Sequence, residues 1–251
     1  MPGTSAERGL TRPEQIALHV RWEGGNSKLK TKNSKLIRGW RVAFRIPNSE
    51  FSGWIQHPAS VSLSVMERFL ELWLVRHGET TFSAAKKVAG WSDPPLTENG
   101  RRQARAVRSV IDGREFVGVW SSDLERAIHS ARLAWGEARP DRRLRECHMG
   151  SLEGCTYEEA DSTYGEVFGV FRDFEVPGGE THVAFRDRVR GFVAELEDGR
   201  HLLFVHGGVI RVLTQDLGLD RFVSTGSVVG LDPTAGQLLF VHEPGNMRDA
   251  E

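Results

Sequence analysis

Three places in the 251-residue chain set a cation or an imidazole beside residues that turn the backbone sharply. Arg76-His77-Gly78 closes one apolar run, Arg126 follows Ser121-Ser122-Asp123, and His206-Gly207-Gly208 closes another apolar run. Together they supply two guanidinium groups and two imidazoles, a set suited to a phosphoryl group. A phosphate monoester is strongly anionic, and its transfer needs cations placed in line with a nucleophile. Arg76 and Arg126 can each grip two non-bridging oxygens, which an ammonium does less well. Neutral His77 can attack phosphorus through one ring nitrogen when its other N–H is held by a backbone carbonyl. His206 adds a donor from the opposite side. A helix beginning near Gly208 presents backbone N–H groups and the positive end of its dipole.

The elements that must position these groups alternate between strand and helix. Residues 69–75, 116–120 and 202–205 read as strands, and 228–231 and 237–241 as short closing strands. Thr97 caps a helix with Ala104, Val107, Val110 and Ile111 on one face, and a second helix covers 124–135. Thr181 caps a longer helix reaching residue 197, and another follows His206 to residue 217. This alternation predicts an α/β fold of three layers, a doubly wound, mostly parallel sheet with helices on both faces. In such a sheet ligands bind beyond the carboxyl ends of the strands, where all three polar segments fall.

At this point the chain resembles a known family. Leu74-Val75-Arg76-His77-Gly78-Glu79-Thr80 looks like the signature of the histidine phosphatase superfamily, which includes the cofactor-dependent phosphoglycerate mutases. Gly90-Trp91-Ser92-Asp93, Leu96-Thr97-Glu98-Asn99-Gly100, Ser121 through Ala127, Leu144-Arg145-Glu146, Leu152-Glu153-Gly154, Pro177 through Thr181 and Val205-His206-Gly207-Gly208 continue the resemblance in the expected order. It implies a phosphoglycerate mutase-like fold and a phosphohistidine on His77. It also implies that Glu146 protonates the leaving alkoxide and then deprotonates the hydrolytic water. Glu153 reads as a structural residue of its turn. Ser83 stands where phosphoglycerate mutases carry a phosphate-contacting asparagine, and its hydroxyl can donate one hydrogen bond. Cys147 and His148 lack a second pair to complete a metal site, and no cofactor is implied. Trp91, Trp120 and Trp135 read most simply as core residues.

Hydrolase and mutase divide on what else the cavity holds. A mutase must retain a phosphorylated acid and needs cations beyond the phosphate clamp. The 23 residues from Cys155 to Pro177 hold six acids against Arg172 alone, a balance that repels a second anion. The same stretch offers Tyr157, Tyr164, Phe168, Phe171 and Phe174, either as an apolar lid over the leaving group or as ordinary packing. The reading is therefore a metal-independent phosphomonoester hydrolase resembling the small bacterial broad-specificity and alpha-ribazole phosphatases. A cofactor-dependent phosphoglycerate mutase and a non-catalytic phosphate-binding module are the alternatives.

Composition bounds the rest. The formal charge is −1, which gives no global basic field for nucleic acid. No run of eighteen apolar residues suggests a membrane-spanning helix. Residues 1–65 carry ten Lys and Arg against four acids, a local +6, without Asp, Cys or Tyr. Three readings fit this segment: a basic arm for an anionic surface, a flexible tail, or a start at Met66 with the upstream stretch misassigned. The abrupt change before Met66 favours the last and places the domain at 66–251, preceded by a poorly structured extension. A short strand at 39–46 has no visible partner. Two cysteines and the absence of a leader-like apolar block set a cytoplasmic expectation, with a small phosphate ester as the partner.

Overall fold

Strand β1, Leu70–Arg76, is buried along its whole length, as a central strand covered on both sides must be. Its residues alternate between layers: Leu70, Leu72 and Leu74 join one apolar cluster, Trp73 and Val75 the other. The computed structural model describes residues 68–165 and 171–244. The extension at 1–65, the strand expected at 39–46 and Phe168 lie outside the described residues.

After β1 come α1 (Thr81–Ala84), α2 (Glu98–Ile111), β2 (Gly118–Ser121), α3 (Glu125–Ala134) and the two-residue edge strand β3 (Arg139–Pro140). Then follow α4 (Tyr157–Tyr164), α5 (His182–Glu195), β4 (Gly199–Val205), α6 (Gly207–Gln215), β5 (Val228–Asp232) and β6 (Gln237–His242). The strands form one sheet in the order β3-β2-β4-β1-β5-β6. β3, β2, β4 and β1 run parallel, while β5 lies antiparallel to β1 and β6 antiparallel to β5. The β5–β6 connection is a tight turn in which Asp232 accepts from the N–H of Thr234 and Ala235, and so short a link can only reverse the chain.

Both faces are covered. Phe185, Val189 and Phe192 of α5 and Val209, Ile210 and Val212 of α6 pack with Leu203 and Val205 on one side. Val107 and Ile111 of α2 and Ala131 and Ala134 of α3 pack with Leu202 and Phe204 on the other. Thr97 and Thr181 cap α2 and α5 as expected, accepting from Gly100 N–H and Ala184 N–H. The tryptophan expectation needs correction at two positions: Trp135 is 38% exposed and Trp91 is half-buried outside the apolar clusters, while Trp120 packs, half-buried, against the larger one. Trp135 ends α3 and shows one edge to Phe116 at 5.5 Å, so a ring at a helix terminus is shielded on one side only.

Candidate active site

The sheet register places the two histidines. Arg76 pairs with Val205 across β1 and β4, so His77 and His206, the next residues, leave the sheet at the same level. The His77 N–H bonds to the Val205 carbonyl at 3.0 Å, and the two rings meet edge to face with centroids 5.1 Å apart. β2 ends beside them, with Ser122 N–H bonded to Phe204 O, and delivers α3 and Arg126.

His77 Nδ1 donates to the Gly78 carbonyl at 2.8 Å, which leaves Nε2 as the bare nitrogen. Arg126 Nε donates to that Nε2 at 3.3 Å. Burial first, then the charges of Arg126 and Arg76, holds the His77 pKa well below the usual histidine range. His206 is completely buried, and its pKa is pushed well down for the same reasons. Both His206 ring nitrogens and Arg76 Nε are buried without a hydrogen-bond partner. Arg76 Nε and the one protonated nitrogen of the neutral His206 ring are donors that phosphoryl oxygens satisfy. Arg76 spends Nη1 on the Val223 carbonyl and stacks over Phe222 at 5.0 Å.

Arg126 is held by a loop. Its Nη1 donates to Ser92 O and its Nη2 to Gly90 O, both at 2.8 Å, and Nη1 lies 3.3 Å from Asp93. Asp93 also accepts the backbone N–H of Glu125 and Arg126, capping α3 from outside because Leu124 has no capping side chain. Glu153 fixes that loop in turn, accepting from the N–H of Trp91 and Ser92 and the Ser92 hydroxyl, each at 2.7 Å. Gly90 has φ of +51°, and a Cβ there would fall 2.2 Å from Glu153 Oε1. Glu153 is therefore a support of the arginine loop, a structural role that reaches beyond its own turn.

Glu146 lines the cavity with its carboxylate accepting from Cys147 N–H at 2.9 Å and Gly208 N–H at 3.0 Å. The first turn of α6 thus spends one of its N–H groups on Glu146 rather than on an incoming anion. The Glu146 carbonyl accepts from Trp91 Nε1 and from Arg188 Nη2. Arg188, on α5, also binds the carbonyls of Arg143 and Arg145 and pairs with Glu180. Its clamping of three carbonyls went unseen in the sequence, because a helical arginine followed by Val189 reads as a solvated position.

Ser83 lies on the cavity wall, yet its hydroxyl donates to Thr80 O and accepts Thr80 N–H in the capping box of α1. Its hydroxyl proton is directed to Thr80 O, within the turn. Cys147 is buried, with its thiol pKa raised by burial and the neighbouring Glu146, and His148 stacks on Trp91 at 4.6 Å. Both pack beside the Glu146 loop. Among the described residues no His, Cys, Asp and Glu cluster able to hold a metal ion is found, and no helix is long and apolar enough to cross a membrane.

The cavity measures about 370 Å³. Beyond the phosphate end its wall includes Lys87, Tyr157, Asp161, Phe171, Arg211 and Phe222. Of the five aromatics in the acidic stretch, Tyr157 and Phe171 reach it, while Phe174 is buried in the core and Tyr164 is exposed. The acid count also fails as a guide to charge at the site. Glu158, Glu159, Asp173 and Glu175 face solvent, and Asp161 alone of the acids described in that stretch lines the cavity.

A model of the histidine phosphatase superfamily (branch 1) matches residues 72–242. Phosphoglycerate mutase-like protein 4 of Arabidopsis thaliana is 35% identical over 160 residues, which are 58% of this chain and 70% of that protein. A glucosyl-3-phosphoglycerate phosphatase of Mycolicibacterium vanbaalenii is 34% identical over 169 residues, 60% of this chain and 75% of that protein. Among solved structures, a phosphoglycerate mutase from Thermus thermophilus superposes with a TM-score of 0.65 at 40% identity, covering 70% of this chain and 99% of that one.

Proposed function

The chain belongs to the histidine phosphatase superfamily, and from that premise we propose that it is a phosphomonoester hydrolase that works through a phosphohistidine on His77. The observation that carries this reading is the His77 ring itself: Nδ1 is locked on Gly78 O and Nε2 stays neutral between two buried guanidinium groups. A nucleophile held in one tautomer needs no activation at neutral pH.

In the first step His77 Nε2 bonds to phosphorus, the ester P–O bond breaks, and the leaving oxygen takes a proton from Glu146. Arg126 Nε exchanges its bond to Nε2 for a non-bridging oxygen, while Arg76 and His206 take the others. In the second step water gives a proton back to Glu146 and bonds to phosphorus, the P–N bond breaks, and inorganic phosphate leaves. The guanidinium groups supply the positive charge, so no metal is required. Relatives named as mutases keep a second reading alive, and the observation that favours it is Lys87, a basic residue on the cavity lining beyond the clamp.

The test is release of p-nitrophenol from p-nitrophenyl phosphate with a chelator present. The parent is expected to turn over, His77→Ala to be silent, and Glu146→Ala to be slower by about 10²–10⁴-fold, the usual weight of general acid–base catalysis. Isomerisation of 3-phosphoglycerate with its bisphosphate cofactor, without hydrolysis, would move the reading to the mutase. Phosphate binding without turnover of any ester would leave a binding module.

A further inference from the structure

Trp91 stands between the two halves of the site and joins them from outside the cavity. Among the described residues it is not part of the cavity wall, yet both of its N–H groups are committed. Its backbone N–H donates to Glu153 Oε1 at 2.7 Å, and the same oxygen accepts Met149 N–H at 3.1 Å. Its indole Nε1 donates to the Glu146 carbonyl at 2.8 Å. The flanking Gly90 and Ser92 carbonyls take the Nη atoms of Arg126, each at 2.8 Å. One residue therefore links the loop that holds the phosphate-gripping guanidinium to the loop that carries the acid.

The bond to the Glu146 carbonyl does more than fix a loop. That carbonyl and the Cys147 N–H belong to one planar peptide unit, so neither can turn without the other. Cys147 N–H donates to Glu146 Oε1 at 2.9 Å. Holding the carbonyl thus aims the N–H, and the N–H aims the carboxyl group. Arg188 Nη2 holds the same carbonyl at 2.7 Å, but it also binds the carbonyls of Arg143 and Arg145 and so ties the loop to α5. Of the two donors, the indole alone registers the peptide against the arginine loop. Its ring is confined as well. Arg145 lies over it at 4.8 Å while pairing with Asp123, just before α3, at 2.7 and 2.8 Å. His148 stacks on it at 4.6 Å.

We propose that Trp91 is a positioning residue that sets the Glu146 carboxyl in register with the Arg126 clamp and so governs proton delivery to the leaving oxygen. The proposal rests on the phosphatase reading for the role of Glu146. The value of that proton grows with the basicity of the oxygen that receives it. p-Nitrophenolate departs as a stabilised anion and needs the proton less than phenolate does. Loss of the indole N–H is therefore selective: it slows esters of basic alcohols most and leaves the phosphate clamp as it was. A residue that merely stabilised the loop would slow every ester alike.

The experiment compares the parent with Trp91→Phe, which keeps an aromatic ring and removes the indole donor. kcat/KM is measured for p-nitrophenyl phosphate and for phenyl phosphate, because it covers only the steps up to departure of the alcohol. The p-nitrophenyl to phenyl ratio is expected to rise by about tenfold, less than the roughly 10²–10⁴-fold weight of the acid itself. In a Glu146→Gln background the same substitution should leave the ratio unmoved, as a double-mutant cycle requires of a residue acting through Glu146. Vanadate gives a readout without turnover, because in its five-coordinate adduct with a histidine one oxygen stands where the leaving oxygen departs. Trp91→Phe should raise the ratio of the vanadate Kd to the phosphate Kd by about threefold or more, the weight of one hydrogen bond. The phosphate Kd itself should stay within about twofold, the scatter of uncoupled sites. Each comparison is a ratio within one protein, so a change in folded fraction cancels. Where esters turn over, the kinetic ratio decides: a ratio that does not rise, or that rises as much in Glu146→Gln, overturns the proposal. Where no ester turns over, the vanadate ratio decides, and its shift would retain the positioning role while the hydrolase falls. Turnover with an unmoved kinetic ratio would keep the hydrolase and remove the role of Trp91.

Discussion

Arg126 illustrates how little freedom a phosphate-gripping side chain is left with at this site. Gly90 O, Ser92 O and Asp93 take its Nη atoms, and its Nε is aimed at the nitrogen that must attack phosphorus. A lysine carries a single ammonium and cannot hold the loop and face the phosphoryl group together. Arg126→Lys is therefore expected to lower kcat/KM for p-nitrophenyl phosphate by about 10²–10³-fold, the loss typical of one preorganised charge-stabilising donor. Steady-state kinetics checks this, and a loss under threefold would mean that the charge alone suffices. Arg76, His77 and His206 were legible because each stands at the end of an apolar run, and Arg126 because it follows Ser121-Ser122-Asp123 into a helix. Asp161 was not, because its charge was averaged into an acidic stretch. Only the pitch of α4 decides that it faces inward while Glu158 and Glu159 face water. Ser83 does line the cavity, and its hydroxyl is also within reach of Thr80, where it completes the cap of α1.

The elements around Glu146 show what carries one carboxylate to its place. Arg188 of α5 and Trp91 hold its carbonyl, and the first turn of α6 holds its carboxylate through Gly208 N–H. A Cβ at Gly208 would lie 2.2 Å from Glu146 Oε1 and 2.8 Å from the Phe171 ring, so an added methyl must push the carboxylate aside. Alanine is otherwise the better helix former, by up to about 1 kcal/mol in a helix interior. Gly208→Ala should therefore separate two properties that usually fall together. kcat is expected to drop at least about tenfold, since misplacing a catalytic group by about 1 Å can cost 10²-fold, while the thermal midpoint moves little. Loss of stability in proportion to activity would show instead that the helix start, not Glu146, had been broken. The strand ends and the Thr97 and Thr181 caps were readable from the sequence because periodicity and capping chemistry are local. The antiparallel placement of β5 against β1, the edge strand β3 and the remote cap on α3 by Asp93 were not, because each depends on a partner distant in the chain.

Across the whole molecule, the cost of the site is a set of charges and ring nitrogens gathered where the parallel strands end. His77 and His206 are kept neutral by burial, so the folded chain cannot take up protons that the unfolded chain accepts near pH 6.5. Above that pH neither state binds these protons, and the two histidines contribute nothing to the pH dependence. As pH falls below about 6.5 the unfolded state gains them first, and stability declines by at most about 1.4 kcal/mol per pH unit for each histidine. The decline continues until the pH reaches the depressed folded-state pKa values. Urea unfolding between pH 7.5 and 5.5 should show a flat midpoint on the alkaline side and a falling one on the acid side. His206→Gln, which removes one of the two groups, should make the acid-side fall shallower whatever its effect on the midpoint at pH 7.5. The measurement belongs in a phosphate-free buffer, because an anion bound by the folded state alone adds its own stabilisation. An acid-side slope identical in the parent and His206→Gln would mean that His206 does not stay neutral as the pH falls, and that the strand-end cluster absorbs a proton without unfolding.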